Sequence, residues 1–311
     1  MLQYLIILLD DTSVSFCHYD NPRREKRLIP LETLKQGIRF AMMENLTIQF
    51  VYPNYELPKD YLTVIESIDH TNIKPIEDDA DVWVTNSIDS YSPDVPVVIR
   101  LTKSQLFENA VKLCQMIGNS KRLNIIITDI ELFTDKDFDA YQELLERLSF
   151  EIEQKYIDGK VPQVNILTDR MMLSEMNNCG AGVTSITLAP NSLFYICPAF
   201  YYDNHNDNVG DLENGLDIKN EQLYSLEYAP ICRHCDAWQC KRCIWINRKT
   251  THEVNTPSHE QCVISHIERN ASRKLQNCIR KHIYLSEQVE IKEIDYLDPF
   301  EKREQWQWWK K

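Results

Sequence analysis

Four cysteines fall within twelve residues of this chain, in the run Cys232-Arg-His-Cys235-Asp-Ala-Trp-Gln-Cys240-Lys-Arg-Cys243, and a fifth follows at Cys262. Thiols at this spacing constrain the backbone, because the segments that carry them must meet at one metal centre or at two neighbouring ones. A C-x2-C pair lets both sulfurs of one tight turn face the same ion, and soft thiolates select zinc, copper(I) or an iron–sulfur cluster. A disulfide-stapled loop is the alternative. It fits less well, since cysteines so close in one turn rarely reach disulfide geometry and nothing else marks the chain as secreted.

A chain of 311 residues is long enough for one large or two medium domains with cores of their own, so the metal is an addition to a fold. Lys and Arg number 34 against 47 Asp and Glu, a net charge of -13, which argues against a general nucleic-acid or anionic-membrane surface. The apolar run from Tyr4 to Leu9 has no basic segment before it and is followed by Asp10 and Asp11, so it reads as a buried strand and not as a signal segment. No later apolar run approaches the ~18 residues of a membrane span. A soluble, cytoplasmic protein with reduced thiols is expected, with neither nucleic acid nor membrane as partner. Only seven glycines occur, where average usage of about 7% would give some three times as many, and neither G-x-G-x-x-G nor a P-loop can be written from them. Those two backbone cradles for nucleotides are excluded.

Strand and helix alternate through residue 170. Apolar runs at Tyr4 to Leu9, Thr47 to Tyr52, Val82 to Val84, Val95 to Leu101, Leu123 to Thr128 and Val164 to Leu167 read as strands. Between them, helical spacing runs from Leu31 to Met42, from Lys103 to Ile117 behind a capping box at Thr102 and Gln105, and from Asp135 to Ile157. Short strands buried on both faces and separated by amphipathic helices imply a parallel sheet, open or curled into part of a barrel. The pattern changes after Arg170. Cys179-Gly-Ala-Gly182 precedes a hairpin, Thr184 to Leu188 and Leu193 to Cys197, turning at Pro190-Asn191-Ser192. An Asp/Asn-rich connector, a short helix near Glu221 to Glu227, the cysteine run and a helical stretch through Arg280 follow. The tail ends in Trp306-Gln-Trp308-Trp309-Lys-Lys, either a docking peptide or a strand packed on the barrel.

Cys179-Gly-Ala-Gly182, a hairpin ending in Cys197, then C-x2-C-x4-C-x2-C and a last cysteine nineteen positions on, resembles the SPASM domain of radical SAM peptide-modifying enzymes. The βα region before it is similar in layout to the radical SAM partial barrel. The fold class implied is α/β: a partial (β/α) barrel of radical SAM type over residues 1–170, a cysteine-rich SPASM-like domain over 171–285, and an aromatic tail over 286–311. By motif position, the resemblance implies that Cys232, Cys235, Cys240 and Cys262 hold one auxiliary iron–sulfur cluster of the 4Fe-4S kind. Cys179, Cys197 and Cys243 would hold another, three ligands that leave one iron open. Ser192 stands where the family has a glycine, and the gaps after Cys235 and Cys240 are each one residue short. A single zinc or one cluster is the alternative.

The front of the chain departs further. Radical SAM enzymes carry C-x3-C-x2-C after the first strand, whereas this chain has Ser13-Val-Ser-Phe-Cys17-His-Tyr-Asp20, and Ser13 and Asp20 are not soft ligands. Where the family has a glycine-rich SAM-binding turn, this chain has Tyr52-Pro-Asn-Tyr-Glu-Leu-Pro58. It is therefore similar to a degenerate radical SAM protein of the CXXX repeat peptide maturase group, with no SAM expected. The resemblance implies a part in ribosomal-peptide maturation, with a Cys-containing precursor peptide and a separate radical SAM enzyme as partners. The open iron could then ligate a substrate thiolate. The alternative is a structural zinc scaffold or interaction protein without catalysis. No H-E-x-x-H or similar set supports metal-dependent hydrolysis.

The remaining candidates each have two readings. Cys17 is a relic ligand or a small buried hydrophobe, and the second is preferred; Cys114 belongs to a helix core. Cys278 packs or serves as the spare fourth ligand of the open site. His234 and His252 flank the thiols as outer partners or face solvent. Asp236, Lys241 and Arg242 tune the thiolates or form a solvated turn.

Overall fold

The computed structural model describes residues 2–282 and 290–300. Most of the 286–311 tail, including its three closing tryptophans, lies outside the described residues. The first strand, β1 (Tyr4–Leu8), is followed by α1 (Leu31–Met43), β2 (Thr47–Val51), α2 (Lys59–Ile65), β3 (His70–Lys74), β4 (Val82–Thr85) and β5 (Val97–Leu101). Two short helices, α3 (Lys103–Glu108) and α4 (Ala110–Asn119), lead to β6 (Leu123–Ile127) and the long α5 (Asp135–Ile157). Then come α6 (Asp169–Met172), β7 (Ser185–Leu188), β8 (Phe194–Tyr195), α7 (Pro198–Asp203), a small hairpin of β9 (Gly210–Asp211) and β10 (Gly215–Leu216), α8 (Ile244–Thr251) and α9 (His259–Ile279).

Eight strands form one sheet in the order β6-β5-β4-β3-β2-β1-β7-β8. Strands β1 to β6 are parallel and in chain order, as buried strands joined by crossovers require. The hairpin joins them: β7 runs parallel to β1, with Leu5 opposite Ile186, and β8 returns antiparallel to β7. One sheet thus spans both sides of residue 170. Ala189 N–H donates to the Leu193 carbonyl at 3.0 Å, and Ser192 adopts φ 67, the left-handed conformation a glycine would take at this turn. Close approach of α1 to β7 needs Gly37, where a Cβ would stand 2.5 Å from Leu188 Cδ2.

Apolar side chains form two buried groups. One lies around β1, β2, β7 and β8, beneath α1 and α7. The other lies between β5, β6 and the helices α4, α5 and α9, with α9 packed along α5.

Helices α2, α7 and α8 and the β9–β10 hairpin were not anticipated from the sequence, and four further differences have a local reason. The helix expected over 103–117 is broken at Asn109, whose side-chain amide donates to the Gln105 carbonyl at 2.8 Å and competes with the helical ladder. The strand expected at Val164 to Leu167 is reduced to a single bridge between Leu123 and Val164. There the Asn165 amide pairs with both backbone groups of Ile125, accepting from N–H at 2.8 Å and donating to C=O at 2.9 Å, so a side chain takes the place of the next rung. The short helix near 221–227 is two 3-10 turns, Glu221–Tyr224 and Leu226–Tyr228. Strand β3, His70 to Lys74, has one buried residue, Ile73, and so offers no apolar run to find.

Candidate metal centre

Cys232 begins a 3-10 turn, Cys235 ends it, Cys240 closes the next turn, and Cys262 projects from the first turns of α9. Together they line one cavity with Ala237, Pro257, Gln261 and His266. Burial, followed by the charges of Cys240 and Cys235, pushes the Cys232 thiol up to about 12. Burial raises Cys235 to about 12 as well, and Cys262 is raised by burial, then by Asp298 and the other three thiols. Four thiols whose negative charges oppose one another in a buried place need a cation to be thiolates together.

The turns prepare these sulfurs. Ala237 N–H donates to Cys235 Sγ and Arg242 N–H to Cys240 Sγ, each at 3.4 Å and each two residues after its cysteine. Asp236, the residue between, is held by two buried arginines: Arg269 Nη2 at 2.5 Å and Arg170 Nη2 at 3.6 Å, while Arg170 Nε also donates to the Asp236 carbonyl at 2.6 Å. Arg170 stacks on Trp238 at 4.0 Å from the ring centroid. Arg242 is buried, takes φ 47 and donates to the Tyr224 carbonyl. Asp236 and Arg242 are thus anchors of the cysteine-bearing turns, whereas Lys241 is exposed and lends its charge to Cys17 and Cys179.

The histidine beside the thiols is one the sequence reading did not single out. His234 and His252 are exposed. His266 is buried four residues after Cys262 on α9; its Nδ1 meets the Cys262 carbonyl at 2.9 Å, an acceptor, so Nδ1 carries the proton and Nε2 faces Cys235 Sγ at 3.7 Å. Burial lowers the pKa of His266. The i, i+4 spacing of Cys262 and His266 was the available signal.

A second group of thiols forms around the hairpin. Cys179 N–H donates to the Lys241 carbonyl at 3.1 Å, which ties the start of the hairpin to the turn before Cys243. Cys197 precedes α7. Burial raises Cys243, with Cys179 and Cys197 adding to it, and burial followed by Cys179 raises Cys197 to about 12. Gly182, at φ 78, brings its backbone against Tyr224 and Ile196, where a Cβ would come within 3.1 Å of the ring. Cys114 packs partly against the core at α4. Cys278 is remote from both groups: it lies roughly 24 Å along α9 from Cys262 and lines a groove against α5 with Phe150 and Lys274. Its reading as a spare ligand is therefore corrected, because the helix faces it away.

The loop after β1 is stitched across the carboxyl ends of the strands. Ser13 Oγ donates to the Val51 carbonyl at 2.8 Å, His18 Nδ1 donates to the Ile127 carbonyl at 2.8 Å, and Arg100 of β5 donates to the carbonyls of Cys17 at 2.8 Å and Tyr19 at 2.6 Å and pairs with Asp20 at 2.6 Å. Beside it, Tyr52 and Leu57 are buried in the turn after β2. Between the barrel strands and the cysteine turn runs a narrow seam in which His18, Asn165, Lys241 and Glu268 sit among several isoleucines. Its volume of about 60 Å³ is far below the ~300–1,000 Å³ of a small-molecule pocket.

Among the described residues, no three His, Cys, Asp or Glu side chains are drawn together tightly enough to hold a metal ion as the chain stands. The fit of a metal therefore rests on donor chemistry: thiols in two groups, one imidazole, and backbone N–H groups aimed at sulfur, which suits a soft metal or an iron–sulfur cluster.

No protein-family model matches the chain, and no curated protein matches it. Among the described residues no helix is long and apolar enough to cross a membrane. Solved structures do resemble it. Native anSMEcpe with bound AdoMet and the Cp18Cys peptide superposes with a TM-score of 0.61 at 11% identity, covering 90% of this chain and 100% of that one. Native anSMEcpe with bound AdoMet and the Kp18Cys peptide gives 0.59 at 12% identity, covering 89% and 99%. The likeness is one of fold, and the fold is the mixed α/β partial barrel of radical SAM type.

Proposed function

We propose that the chain is a component of a ribosomal-peptide maturation system that carries auxiliary iron–sulfur clusters in a SPASM-like region and binds a Cys-containing precursor peptide without cleaving SAM itself. The observation that carries this reading is the sorting of the C-terminal cysteines into two groups, Cys232, Cys235, Cys240 and Cys262 around one cavity and Cys179, Cys197 and Cys243 around the hairpin. The solved anSMEcpe structures, which share the fold, hold peptides as well as AdoMet, and that supports a peptide partner. The absence of SAM chemistry is supported by the first loop, where Ser13 and Asp20 replace soft ligands and are spent on the Val51 carbonyl and on Arg100. It is supported too by the turn after β2, filled by Tyr52 and Leu57. Radical chemistry then falls to a separate radical SAM enzyme.

A bound cluster would supply electron transfer or thiolate coordination. The chain's own contribution is to hold the sulfurs, donate N–H groups to Cys235 and Cys240, and fix the Cys262 helix with His266. Anaerobic purification with iron, sulfide and zinc analysis, on the natural sequence and on Cys232→Ala and Cys243→Ala, tests the reading. Iron with acid-labile sulfide, partly lost in each variant, is expected. A colourless chain with about one zinc, as in a structural tetrathiolate site, would make it a scaffold.

A further inference from the structure

Cys17 lies on the loop after β1, far in sequence from the SPASM-like motif, yet it packs against the same apolar core as Cys197, and its neighbour His18 lines one seam with Cys243. Two contacts fix that loop, and a third ties Cys179 to the turn before Cys243. Arg100 pins the Cys17 and Tyr19 carbonyls. Tyr19 stacks on Tyr202 with ring centroids 5.6 Å apart, on the helix that begins after Cys197. Cys179 is tied by its N–H to Lys241, two residues before Cys243. We infer that Cys17 is the fourth thiolate of the site formed by Cys179, Cys197 and Cys243, so that this site is closed by the chain and has no iron open to a substrate.

On ligation the Cys17 S–H proton leaves to solvent as Sγ bonds the metal, and no electron is transferred. The inference rests on the metal reading above but not on which metal is bound.

The experiment is alkylation of the full chain as isolated anaerobically, with iodoacetamide and peptide mass mapping, before and after chelation. Iron, sulfide and zinc are measured on the same preparation. Cys17 is expected to slow with Cys179, Cys197 and Cys243 while metal is bound, and to be released with them at least tenfold on chelation, whereas Cys114 and Cys278 do not change. Where iron is present, Cys17→Ala is expected to keep the Cys232 group loaded and to make the electron paramagnetic resonance of the reduced hairpin cluster respond to added 2-mercaptoethanol. Iron with unchanged Cys17 alkylation and an unresponsive variant overturns the Cys17 assignment and leaves the cluster reading standing. Zinc with Cys17 protected does the reverse. A chain that holds no metal overturns both.

Discussion

At the scale of single residues, the cysteine turns are held by buried charges that have specific partners. Asp236 is shared by Arg269 at 2.5 Å and Arg170 at 3.6 Å, so each buried guanidinium faces the same carboxylate. Glu268 is different. It accepts from Tyr141 Oη at 2.7 Å and from Gln239 Nε2 at 3.3 Å, one residue before Cys240, and its burial still raises its carboxyl from 4.5 to about 7. The raised pKa means that the folded protein favours the protonated form. Its stabilising effect is complete below about pH 4.5 and is lost as pH rises to about 7. Glu268→Gln keeps the shape without the charge, so it should gain on the natural chain by on the order of 3 kcal/mol across that window. Denaturant unfolding at several pH values reads this directly, and a constant difference between the two proteins would contradict it.

At the scale of elements, side chains decide where strands and helices stop. Asn165 substitutes for the next rung beside β6, so Asn165→Ala should leave the Ile125 backbone groups unpaired and cost about 1–3 kcal/mol in urea unfolding; an unchanged midpoint would show that water replaces the amide without loss. The same kind of event explains what sequence periodicity conveyed and what it did not. Apolar runs and helical spacing located β1, β2, β4, β5, β6, α1 and α5, because their apolar residues are contiguous in the strands and fall on one buried stripe in the helices. The break at Asn109 and the polar strand β3 were hidden, since one arises from a side-chain amide and the other from pairing with neighbours on both sides. In the same way, spacing named the cysteines of the motif, but the nearness of Cys17 depends on Arg100 and Tyr202, and His266 was masked by an ordinary helical pattern.

At the scale of the whole molecule, the central sheet and the α5–α9 contact join the N-terminal strands to the cysteine-rich part. The division at residue 170 inferred from sequence character passes through a single hydrogen-bonded sheet. Calorimetry of the metal-loaded chain should therefore give one cooperative transition, with calorimetric and van't Hoff enthalpies in agreement. Two resolved transitions would mean that residues beyond 170 unfold alone.

The strap over the strand ends has a further consequence for how the chain is made. His18 waits for the Ile127 carbonyl, 109 residues later, and β1 waits longer still for β7 to cover its free edge. Contacts this distant must meet the entropy of closing long loops before they return any stabilisation. During synthesis, then, β1 emerges well before the strand that completes it, and the thiol of Cys17 is made well before those of Cys179, Cys197 and Cys243.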